Sequence, residues 1–232
     1  TSGPTEAVWF RDDDDGTPQL ATLVGTGADR RLAIWSLQRD AVREVEIAEE
    51  DQAVPGARGL AAIDLAGSGR TNLLLTRDDD TAGPSLEVRD ARGGMIEAIE
   101  SIEAIEVPEA FRSTVALAVP DARGPVMLLG AGEDGVPRWR DAGSGRMPFV
   151  AVWFSGRTDP SQQMRSNASG IGTRGDARTV GSWQSRTLLP WRGGPAAQPL
   201  EPVLYGLGGA REIDWLAIEW PDGVLQSELD LE

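Results

Sequence analysis

The tripeptide Arg-Asp-Ala occurs at 39–41, 89–91 and 140–142, at spacings of 50 and 51 residues. A repeat of this length restricts the folds open to the chain, because each unit must be one small supersecondary structure stacked on its neighbours. A glycine closing a polar loop recurs upstream of each tripeptide, at Gly16, Gly69 and Gly124. An apolar run follows each glycine: Leu20 to Val24, Leu73 to Leu75, and Val126 to Leu129. A shorter apolar segment then precedes each tripeptide: Leu32 to Trp35, Leu86 to Val88, and Val136 to Trp139. Before each loop lies a further one: Ala7 to Phe10, Leu60 to Ile63, and Val115 to Val119. Each unit therefore reads as strand, polar loop, strand, turn, strand.

Short strands parted by Gly and Asp turns predict antiparallel sheets. Several strands per unit at this period predict propeller blades. The units span about 7–47, 58–99 and 112–147. Three blades fall short of the roughly four that close a ring. The expectation is therefore that the missing blades come in cis or in trans. Between the second and third units, Ile96, Ile99, Ile102 and Ile105 recur at steps of three. That spacing fits one face of a short helix, whereas β-branching and Pro108 oppose one.

The repeat ends near Phe149. "FVAVWFSG" (149–156) alternates as a strand, and a Gly- and Ser-rich stretch follows. Asp214, Leu216, Ile218 and Trp220 then alternate with Trp215, Ala217 and Glu219, before a "WPDG" turn. The sequence thus predicts an all-β chain in two parts: a partial β-propeller over 1–148, and a small β-sandwich or barrel-like domain over 149–232.

Composition narrows the chemistry. The chain has neither Cys nor His, so it can build no Ser-His-Asp triad, Cys-His pair or imidazole zinc site. A net charge of −15 repels phosphate backbones and argues against nucleic acid as a partner. No run of about 18 apolar residues is present, so a spanning helix is not expected. Thr1 reads as a processed start, and no signal peptide is visible.

The second unit's loop, "DLAGSGRTNLLL" (64–75), places Asp64, Ser68 and Asn72 as in a calcium loop, but Ala66 stands where another carboxylate belongs. In the first unit "RDDDDG" offers Asp13 and Asp15. In the third, Arg123 would repel an ion. Calcium is the one cofactor these loops suggest, and solvated acidic turns are the plain alternative. Asp and Asn also hold tight turns unaided, so Asp64 bonded to amides near Gly69 would replace the ion.

Of the eight Trp, Trp9, Trp35 and Trp139 are expected on repeat strands, and Trp153, Trp183, Trp215 and Trp220 on strands of the last module, all in core or sheet packing. Trp191, in "LLPWRGG" beside Arg192, reads as a loop anchor for a partner protein or a sugar ring.

"NASGIGTRGDARTVGSWQSR" (167–186) and "LYGLGGAREIDWLAIEWPDGVLQ" (204–226) together resemble the ASPIC/UnbV domain. That family pairs an Asn-x-x-Gly-Ile-Gly stretch, ending in a Gln-x-Arg strand, with a Phe-Gly-Leu-Gly segment and a Trp-Pro-(Ser/Asp)-Gly-x-x-Gln ending. The matching residues are Asn167, Gly170, Ile171, Gly172, Gln184, Arg186, Gly206, Leu207, Gly208, Asp214, Trp220, Pro221, Gly223 and Gln226. Leu204 departs from the His often found there. The resemblance implies that FG-GAP (VCBS) repeats, which form a propeller, precede the domain, and "DLAGSGRTNLLL" is similar to their loop. It implies no catalytic activity.

The function expected is a non-catalytic extracellular or periplasmic interaction or scaffold module, an accessory subunit whose partner is a protein or glycan. The alternatives are a carboxylate-dependent glycan hydrolase, which needs a carboxylate pair, and a calcium-dependent adhesion protein.

Overall fold

The computed structural model describes residues 6–11, 17–65, 67–79, 83–94, 116–118, 127–131, 136–141, 148–156, 168–180, 182–188 and 202–231. The isoleucine run from Ile96 to Ile105 lies outside them.

The described residues are nearly all β. The first unit is a four-stranded meander of β1 (Glu6–Arg11), β2 (Pro18–Val24), β3 (Arg31–Gln38) and β4 (Ala41–Glu44). The second joins β5 (Ala57–Ile63), β6 (Asn72–Asp79) and β7 (Gly83–Asp90) in that order. The third joins β8 (Ala116–Ala118), β9 (Met127–Ala131) and β10 (Pro137–Asp141). All pairings are antiparallel, and each polar loop connects the first and second strands of its unit. The Arg-Asp-Ala tripeptide marks the end of every third strand. Arg39 and Asp40 turn the β3–β4 hairpin, while Arg89-Asp90 and Arg140-Asp141 end β7 and β10. The sequence did not announce β4, nor the one-turn helix α1 (Glu49–Gln52) between the first two units.

The first two units share one core. Val8, Ala21, Leu23, Leu32 and Ile34 from the first sheet pack with Leu60, Leu73 and Leu75 from the second. Leu74, on the opposite face of β6, is also buried, which is why three leucines run consecutively there. Each fully buried Leu or Ile contributes roughly 1.5–3 kcal/mol. Polar groups support the join. Arg89 is 2% exposed, and its guanidinium donates to the carbonyls of Gly93, at 2.8 Å, and of Asp51 in α1. Arg30 likewise donates to the Ala57 carbonyl at the start of β5.

The C-terminal part consists of two further sheets. One pairs β11 (Phe149–Val152) with β14 (Val203–Gly206). The other orders β13 (Ser182–Thr187), β12 (Arg174–Thr179), β15 (Ile213–Glu219) and β16 (Leu225–Leu231). Both feed one core: Val150, Val203 and Tyr205 from the smaller sheet meet Ala177, Leu216 and Ile218 from the larger. None of the sheets closes into a barrel among the described residues.

The tryptophans correct the sequence reading. Trp9, Trp153 and Trp183 are 43%, 52% and 57% exposed rather than core residues. Trp9 and Trp183 stand on the edge strands β1 and β13, with a solvent face beside them. Trp153 and Trp220 sit just past the ends of β11 and β15 rather than within strands. Trp220 does pack on the C-terminal core, edge to face with Phe154 at 6.3 Å.

Candidate functional site

The 64–70 loop is held by its own side chains. Asp64 Oδ1 accepts the Ser68 amide at 3.0 Å, and Asp64 Oδ2 accepts that of Gly69 at 2.8 Å. Asn72 Oδ1 accepts the Leu65 amide at 3.1 Å, and Ser68 Oγ that of Arg70 at 3.3 Å. Asp64 and Asn72 are buried, 7% exposed each. The structure thus brings Asp64, Ser68 and Asn72 together, with their oxygens turned to backbone amides. Among the described residues no group of three or more acidic side chains is placed to hold a metal ion. Asp13, Asp15, Trp191 and Arg192 lie outside the described residues.

Two groups stand out among the described motif residues of the C-terminal part. One builds the domain. The Gly172 amide bonds to Leu188 O at 2.7 Å and the Thr173 amide to Gly170 O at 2.9 Å, which closes the turn into β12. Trp220 Nε1 donates to Gln226 Oε1 at 3.1 Å, across the hairpin that Pro221 to Gly223 turn. This cross-link accounts for the spacing of Trp-Pro-Asp-Gly-x-x-Gln. Fully buried Tyr205 donates its hydroxyl to Gly175 O at 3.0 Å, tying β14 to β12. The other group, Gln184, Arg186, Gly206 and Gly208, faces the 64–70 loop. Gln184 Nε2 holds Gly206 O at 2.6 Å, Arg186 Nη2 donates to Gly69 O at 3.2 Å, and the Gly208 amide donates to Gly67 O at 3.1 Å.

The outer face of the larger C-terminal sheet is the second feature. Leu216 and Ile218 point into the core, so Trp215, Ala217 and Glu219 point away from it. Strand register aligns Trp183, Arg178, Trp215 and Leu229 in one row across four strands. Trp183 and Trp215 meet edge to face over the intervening strand, with centroids 5.5 Å apart and planes at 83°. Leu225 and Leu229 on edge strand β16 are 77% and 67% exposed. In sequence this row was hidden, because its members come from four strands and only register unites them.

Charge is organised beside that row. Arg174 Nε reaches both oxygens of Asp176, at 3.0 and 2.9 Å, and Arg174 lies 3.4 Å from Glu219. Burial works to raise the Asp176 pKa. The bonds from Arg174, with the charges of Arg174 and Arg11, outweigh it and hold that carboxyl below the ordinary range. Arg11 of the first unit is shifted down, by burial first and then by the Arg174 charge, with Asp176 opposing. The Arg174 guanidinium is shifted up, chiefly by its bond to Asp176. At the start of β1, burial raises the Glu6 carboxyl, with Arg30 opposing.

Residues 163–232 match the family model described as ASPIC and UnbV. That agrees with the resemblance read from the two motifs and covers the larger C-terminal sheet together with β14. No curated protein matches the chain.

Proposed function

We propose that this chain is a non-catalytic interaction or scaffold module, an accessory subunit of a larger extracellular or periplasmic assembly. The ASPIC/UnbV match over its C-terminal part is consistent with such a role. The single observation that carries the reading is the outward row of exposed Trp183, Arg178 and Leu229 around half-buried Trp215, with exposed Leu225 on the same strand as Leu229. Exposed aromatic and aliphatic side chains on one rigid sheet face are what a partner protein or a sugar ring packs against.

The three meanders are read as FG-GAP-type propeller blades, with further blades supplied in cis or in trans. Any calcium role belongs to the Asp13 and Asp15 loop, because the Asp64 oxygens already hold amides. Among the described residues no helix is long and apolar enough to cross a membrane.

The test compares the full chain with Trp183→Ala and Leu229→Asp, all immobilised and challenged with extracellular proteins and glycans of the source. A ligand held by the parent and lost by both variants, whose melting points stay close to the parent's, supports the reading. Equal retention by all three, or turnover of an offered glycan, overturns it.

A further inference from the structure

Four motif residues of the C-terminal domain, Gln184, Arg186, Gly206 and Gly208, all converge on one loop of the second repeat unit. We propose that they form a docking socket whose ligand is the chain's own 64–70 loop. The socket joins the domain to the repeats, whatever the outer face binds.

The fit is argued from both sides. On the loop, Asp64 draws the amides of Ser68 and Gly69 inward. The Gly67 carbonyl, which shares a peptide with the Ser68 amide, is thereby turned outward and takes the Gly208 amide, while Gly69 O takes Arg186.

On the socket, the glycines are explained by what touches them. A Cβ on Gly206 would collide with Asp64 Oδ2 and with the backbone of Gly67, and one on Gly208 would lie 3.0 Å from Ser68 O. The loop answers in kind. Gly69 has φ +85°, and a Cβ there would lie 2.7 Å from Gln184 Nε2. Side chains are missing on both sides at the points of closest approach, as a backbone-to-backbone seam requires. Gln184 is 3% exposed and also holds Gly206 O, which fixes the socket wall.

The test is amide hydrogen exchange on the full chain, read at Ser68, Gly69 and Gly208 against Leu216 and Ile218 in the C-terminal core. Arg186→Ala removes a bond from a side chain outside that core. It is expected to speed exchange at the three seam amides roughly tenfold, with core rates kept. Gly206→Ala is expected to do the same or more. If Gly206→Ala instead unfolds the domain and accelerates every amide, Arg186→Ala alone decides. Seam amides that keep parental rates in Arg186→Ala, or core amides that accelerate equally with them, overturn the proposal.

Discussion

Arg186 donates to the carbonyl of Gly69 across 3.2 Å, although 117 residues separate them. The contact links a strand of the C-terminal domain to a turn of the second repeat unit. The amide in the same peptide as that carbonyl, Arg70 N–H, bonds to Ser68 Oγ on the other side. The Asp64 carboxylate, a candidate calcium ligand in the sequence, accepts the amides of Ser68 and Gly69 here.

Asp64→Ala should therefore destabilise the chain by about 1–3 kcal/mol, the cost of leaving buried amides without an acceptor. Asp64→Asn, which keeps one acceptor oxygen, should lose about half as much. Urea unfolding followed by tryptophan fluorescence checks both.

Calcium at millimolar concentration should leave the amide resonances of Ser68 and Gly69 where they are, because Asp64 already bonds to both. A shift at those two amides would mean that an ion displaces the internal bonds.

Asp176 and Glu6 should give opposite pH signatures. The Asp176 carboxyl is depressed in the fold, so its contribution is present above the ordinary carboxylate range and is lost as pH falls through the lower folded value. Glu6 is raised, so its contribution is present below that range and is lost as pH rises through the higher folded value. Between pH 6 and pH 3, Asp176→Asn should flatten the fall in stability, whereas Glu6→Gln should steepen it. Denaturant midpoints across that range provide the comparison.

Trp183→Ala should cost only about 0.5–1.5 kcal/mol, because the exposed ring loses little beyond its edge-to-face contact with Trp215. The near-ultraviolet circular dichroism of that pair should collapse while the far-ultraviolet spectrum persists.

Tyr205→Phe should cost about 1–3 kcal/mol, since the hydroxyl is fully buried and the Gly175 carbonyl loses its donor. Thermal melts of the full chain measure it. A parental melting point would show that the bond is dispensable.

The sequence by itself determined the strands of the repeats. Apolar runs such as Leu73 to Leu75 fall where β6 runs, because a buried strand must be apolar and the turns that bound it need Gly and Asp. The two motifs also marked the C-terminal segment correctly, since Trp220, Gln226, Gly170 and Gly172 do local work within a few residues of one another. Strand β4 and the exposed stations of Trp9 and Trp183 were not legible, because local pattern does not say which strand lies at a sheet edge. Only the tertiary structure decided that Asp64, Gly206 and Arg186 belong to one seam, and that Trp183 and Trp215 share a face. Such juxtapositions depend on register and on how one sheet packs against another, and both are set by contacts between segments far apart in the chain.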